Sequence, residues 1–111
     1  MPMQPAAFPP LAGGTANQSS RVLRALPGGV DYVVVNTGAV AGWLLLYDLA
    51  AAPVDGAVTP FHAAQVPANS TYSVGFNPPA LMATGCVAAF STTGPTTQTL
   101  SATAWFGGRI V

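Results

Sequence analysis

The sequence predicts an antiparallel β-sandwich of jelly-roll or related topology, entered through an extended amino-terminal arm. Two observations carry that prediction. From Ser20 onward, short runs of strand-forming residues follow one another, and turn residues separate nearly all of them at the spacing of a sandwich or barrel. The length of 111 residues suits one compact domain that buries a core without disulfides or metals. Residues 1–20 are assigned to the arm and 21–111 to the sandwich.

The arm is rich in Pro, Gly, Ala, Gln and Ser and has no apolar periodicity, so it needs a neighbour to become ordered. The strands expected after it are RVLRAL at 21–26, DYVVVN at 31–36, GWLLLYDL at 42–49, FHAAQV, TYSVGF, GCVAAFST and TLSATAWF. Pro27-Gly28-Gly29 closes the first and Asn36-Thr37-Gly38 the second, while Pro53 and Asp55-Gly56 mark a longer loop after the third. Pro67-Ala68-Asn69, Asn77-Pro78-Pro79 and Gly94-Pro95 continue the series of breaks.

Alternation supports strands over helices. In TYSVGF, Tyr72, Val74 and Phe76 share one face, and in SATAWFGG, Ala102, Ala104 and Phe106 do. Leu44 to Tyr47 is continuously apolar, which suits a strand covered on both faces, by the core and by a second chain. A helix through 39–52 is the competing prediction, because Ala and Leu are good helix formers.

Charge narrows the function. Half of the residues are apolar and only 5% are charged: Arg21, Arg24 and Arg109 against Asp31, Asp48 and Asp55, with net charge zero. An ordinary soluble domain carries roughly 25% charged residues. A surface this poor in charge lacks the usual protection against self-association, so the chain is expected to be a homo-oligomer, most simply a trimer. Three scattered arginines release few counterions, which argues against a nucleic-acid partner. The longest apolar stretch, AVAGWLLLYDLAAAP, is too short to cross a bilayer and is broken by Asp48, so no membrane association is expected. MPMQPAAFPP has no positive residue ahead of an apolar run and does not read as a secretory signal.

Catalysis finds little to work with, and no enzyme activity is expected. A triad would need His62, one of the three aspartates and a serine, yet no nucleophile-elbow motif marks any serine. Asp55-Gly56 reads as a turn, and Asp48 as a cap on its own loop. Two carboxylates fall short of a calcium site, and single Cys86, expected to be buried, offers no metal set; no metal or other cofactor is predicted. Asn69-Ser70-Thr71 is expected to be the polar turn before TYSVGF. Trp43, Trp105, Tyr32, Tyr47 and Tyr72 raise a different possibility, a sugar-stacking platform with Asp31, Asp48 and Asn36 as its polar partners.

NTGAVAGWLLLYDLAAAPVDGAVTPFHAAQV, from Asn36 to Val66, and the later FSTTGPTTQTLSATAWF resemble small proteins encoded among bacteriophage structural genes and in prophage regions. The resemblance rests mainly on Asp48, Pro53, Asp55-Gly56, Pro60 and Ser91 to Pro95. It implies a virion structural protein made in the host cytoplasm, most like a capsid decoration (cement) protein whose partner is the major capsid protein. The arm residues Phe8 and Leu11, with Trp43, Tyr47 and Trp105, are the candidate contacts to capsid or neighbouring copies. A carbohydrate- or receptor-binding module of a phage fibre is the alternative.

Overall fold

The computed structural model describes residues 17–110, and they form an all-β molecule in which no residue is helical. Nine strands follow in order: β1 Ser20–Arg24, β2 Gly28–Thr37, β3 Gly42–Tyr47, β4 Gly56–Ala57, β5 His62–Val66, β6 Thr71–Met82, β7 Cys86–Ser91, β8 Thr97–Gln98 and β9 Ala104–Ile110. One sheet has the order β1-β7-β3-β5, the facing sheet β6-β2-β9, and β4 and β8 make a small ribbon of their own. Every pairing is antiparallel. Between the long strands every connection changes sheet except β3 to β5, the alternation that makes the sandwich jelly-roll-like. The competing helix over 39–52 does not form, because Leu44 and Leu46 are drawn to one face and Leu45 and Tyr47 to the other.

The core between the sheets is built from the strand residues that alternation selects. Val30, Val33 and Val35 of β2 and Ala104 and Phe106 of β9 meet Leu44 and Leu46 of β3 and Cys86, Ala88 and Phe90 of β7, all buried. Tyr72, Val74 and Phe76 of β6 pack against this cluster from one edge, as their shared face requires. Ala102 does not join Ala104 and Phe106: it is exposed in the turn before β9, which starts later than expected and runs on through Gly107 and Gly108.

The second face of β3 is covered, but not by a second chain. Leu45 and Tyr47, with Val87 and Ala89 of β7, lie beneath Ala52, Val58 and Leu100, residues of the segments that carry β4 and β8. These segments fold back over the four-stranded sheet, so both faces of β3 are buried within one copy. Gln98 fastens them. Its side chain, 1% exposed, accepts the Tyr47 hydroxyl at 2.8 Å and donates to the Pro53 carbonyl at 2.9 Å. The Asp55 carboxylate accepts the Leu100 N–H at 3.0 Å.

Two further expectations are corrected. Asn77-Pro78-Pro79 does not end a strand: β6 continues through it to Met82. The pairing partners step from Ala80 opposite Val30 to Gly75 opposite Tyr32, so residues 76–79 bulge opposite Asp31 and the prolines sit where no ladder hydrogen bond is required. Asp48 does not cap its own loop. Its carboxylate accepts the N–H groups of Ala83, Thr84 and Gly85 at 3.0, 2.8 and 3.2 Å, tying the β6–β7 turn to the end of β3. Those backbone bonds, Ala83 first, hold its carboxyl below the ordinary carboxylate range.

Candidate functional site

The two sheets differ in what covers their outer faces. The four-stranded sheet is overlaid by the β4 and β8 segments. The three-stranded sheet presents to the outside the residues that alternate with its buried ones: Tyr32, Val34 and Asn36 on β2, Thr71, Ser73 and Gly75 on β6, and Trp105, Gly107 and Arg109 on β9. Register sets these in rows. Asn36 lies between Thr71 and Trp105, Val34 between Ser73 and Gly107, and Tyr32 between Gly75 and Arg109.

The face is nearly free of charge: no charged residue stands between Asp55 and Arg109, the stretch that supplies β6 and most of β9, and β2 carries only Asp31. Arg109 pairs with Asp31 of the adjoining bulge at 3.4 Å, so the one cation is balanced where it stands. Thr71 donates its hydroxyl to the Asn36 side-chain oxygen at 2.6 Å, fixing that amide across the strand pair. Gly107 keeps the centre shallow: a Cβ there would stand 3.0 Å from a Val34 methyl. What results is a neutral surface with one aromatic ring, Trp105, at a corner and the other, Tyr32, in the middle of the opposite end, and with the Thr71 and Ser73 hydroxyls along the β6 side next to the Asn36 amide.

Of the expected contact residues that fall among the described ones, Trp105 lies on this face and Trp43 and Tyr47 do not. Tyr47 is 2% exposed and belongs to the interior of the overlay, where burial first and the Asp55 charge second push its phenol up to about 12. Trp43, on the outer side of β3, packs against the same buried cluster and lies under the loop at Gly94, where a Cβ would come within 2.6 Å of its ring. Phe8 and Leu11 lie outside the described residues. The part of the arm that is described, from Asn17, is attached to the fold: the Gln18 N–H donates to the Ala104 carbonyl at 2.6 Å and Ser20 opens β1. Among the sugar-platform residues, Tyr32, Trp105, Asn36 and Asp31 gather at this face, whereas Tyr72 belongs to the core side and Asp48 to the β6–β7 turn. Val34 was legible only as a strand residue, and Tyr32, expected in a sugar-stacking platform, could not be assigned to this face from the sequence, because register, not composition, decides which face lies open.

The remaining polar groups serve the fold. His62 places its Nε2 3.3 Å from the Tyr72 hydroxyl and its ring edge-on to Phe76. Asn69, with a φ of 53°, makes the turn into β6, and Ser70 donates to the Ala68 carbonyl. Cys86 is buried, which pushes its thiol up to about 12, first by desolvation and then by the Asp48 charge. No cluster of three or more His, Cys, Asp or Glu that could hold a metal occurs among the described residues, and no helix there is long and apolar enough to cross a membrane. A groove of about 440 Å³ runs between the end of β3 and the overlay, lined by Tyr47, Leu49, Pro53, Val58 and Phe61. Comparison with protein-family models, curated proteins and solved structures finds no match to this chain.

Proposed function

We propose that the protein is a non-enzymatic structural component of a phage virion, a decoration protein of the capsid surface that associates with its own copies and binds the major capsid protein through the outer face of the three-stranded sheet. One observation carries this reading: the described residues cover one outer sheet face with the β4 and β8 segments and leave the other, neutral and aromatic, without such a layer. Depletion of charge with aromatic enrichment marks the centre of protein interfaces. The resemblance to phage structural proteins supplies the virion setting, and the arm a second point of attachment.

The test is cosedimentation with capsids that lack the protein. Wild-type chain is expected to load to saturation, and Trp105→Arg, which sets a charge in the face, to lose at least most of its loading while remaining folded. Full loading by that variant, or none by the wild type, would overturn the proposal.

A fibre module that binds carbohydrate is the second reading, favoured by one specific arrangement. Tyr32 and Trp105 share the face with Asn36, Thr71 and Ser73, so rings that could stack on sugars stand beside groups that could hydrogen-bond them. Saturable binding of a neutral glycan, lost in Trp105→Ala without loss of fold, would favour it over decoration.

A further inference from the structure

We infer that two copies join edge to edge through β6, in antiparallel register centred on Ser73, to form one continuous six-stranded sheet. The inference rests on the proposed self-association and names its geometry.

The argument begins with the sheet edges. β1 carries Arg21 and Arg24, charges that discourage pairing with another strand. β9 is engaged on its outer side, where the Ala104 carbonyl accepts Gln18. β5 is a short edge of five residues that ends at Pro67. β6 is different: from Thr71 to Gly75 it has no charge, no proline and no break in register. Among the described residues it shows none of the devices that guard natural edges in that span.

Its hydrogen-bond phase can be read from its neighbours. The Thr37 N–H points toward β6, donating to the Ser70 carbonyl at 2.8 Å, while the Gly38 N–H points the other way, to Thr103 at 2.9 Å. In an antiparallel ladder the bonding pairs alternate, so Ser70, Tyr72 and Val74 direct their backbone groups to β2. Thr71, Ser73 and Gly75 therefore direct theirs to the open edge, and all three residues are exposed. The outward Ala104 carbonyl on β9 agrees with this phase.

These three residues complement themselves under a two-fold axis. With Ser73 opposite Ser73 of the second copy, Thr71 falls opposite Gly75, each pair exchanging both its N–H···O bonds. Gly75 leaves room for the Thr71 side chain, and nothing charged is brought together. Size points the same way. Three strands spaced about 4.8 Å apart and about seven residues long give an outer face on the order of 300 Å². A specific protein interface takes roughly 800 Å² from each side. Joining two copies doubles the neutral face and makes attachment bivalent.

The experiment is sedimentation and native mass spectrometry on the full chain. The wild type is expected as a dimer or an even multiple of one, in place of the trimer that charge depletion alone makes the simplest expectation. Ser73→Lys, which sets like charges opposite each other on the axis, should weaken dimerisation by roughly 100-fold and leave the melting temperature of the monomer little changed. Ser73→Cys should form an intermolecular disulfide on mild oxidation, since bonded pairs stand about 5.5 Å apart between Cα atoms, within disulfide reach. Val54→Cys, in an exposed loop elsewhere, should not. If Ser73→Lys stays dimeric and Ser73→Cys links no better than Val54→Cys, or if the wild type has an odd copy number, β6 pairing is overturned while self-association stands. A monomeric wild type at the highest concentration reached overturns both.

Discussion

The Tyr47 hydroxyl donates to the Gln98 side-chain oxygen at 2.8 Å, and this buried bond joins the four-stranded sheet to the layer that covers it. Tyr47→Phe removes the donor but leaves the Gln98 oxygen buried with one partner fewer. A loss of about 1 to 3 kcal/mol in denaturant unfolding is expected, the range for an unsatisfied buried polar group. Gln98→Ala should cost more, because it also releases the Pro53 carbonyl.

Alkaline pH tests the burial of the same hydroxyl, beside the Asp55 charge. Tyr47 titrates at about 12 in the fold against an ordinary 10.0, and Cys86 at about 12 against 9.0. Both are neutral when protonated, so the unfolded chain releases these protons first. Their stabilising contributions are complete below the ordinary values, and as pH rises toward 12 they are lost. The Tyr47 share is roughly 2 to 3 kcal/mol, and unfolding of Tyr47→Phe should therefore fall off less steeply than wild type above pH 10.

Acid pH should expose Asp48. Its carboxyl is held below the usual 3.8 by the Ala83, Thr84 and Gly85 N–H groups, so its contribution is present above that value and is lost as pH falls through the lower folded value. Asp48→Asn keeps one acceptor oxygen but not the charge. Its melting temperature should be lower than wild type at neutral pH, with the difference shrinking in acid.

Gly85 is a steric test. A Cβ there would stand 2.5 Å from the Arg24 carbonyl oxygen and 2.7 Å from that of Leu49, both backbone atoms with no freedom to swing away. Gly85→Ala is expected to destabilise by about 1 to 3 kcal/mol, as overpacking does. Gly75→Ala, where the nearest such contact is 3.9 Å, should be tolerated in the monomer.

The two tryptophans should separate. Trp43→Ala removes a ring lodged between the buried cluster and the Gly94 loop and is expected to cost about 3 kcal/mol. Trp105→Ala, on the open face, should cost roughly half of that or less and show its main effect in association. Equal losses in thermal or denaturant unfolding would mean that Trp105 is a packing residue too.

The sequence disclosed strands where β-branched and aromatic residues run together, as in β2, or alternate with small polar ones, as in the first half of β6, and it disclosed the turn at Asn69. It misled where a local signal met a tertiary exception. Asn77-Pro78-Pro79 reads as a stop, yet an edge strand can carry prolines through a bulge. The run Leu44 to Tyr47 correctly announced burial on both sides, but composition cannot say whether the cover comes from another chain or from residues fifty positions away. Gln98 was invisible for the same reason: among threonines it looks like solvated loop, and only the Tyr47 hydroxyl makes it a fastening. The ring at Trp105 was legible as an aromatic, whereas its place on the bare face depends on the pairing of Trp105 with Asn36.

The overlay gives this small chain a second tier of stability. Its hold on the four-stranded sheet depends on scattered bonds around Gln98, Asp55 and Ser91, while the sandwich beneath is joined by full ladders. Local opening can thus lift the β4 and β8 segments without unzipping the sheets, so their amides should exchange with solvent through a separate, cheaper excursion than those of β2 and β7. Each such excursion bares Leu45, Val87 and Ala89, a strip as apolar as the core, and the frequency of that opening sets how long the protein survives proteases and crowded storage.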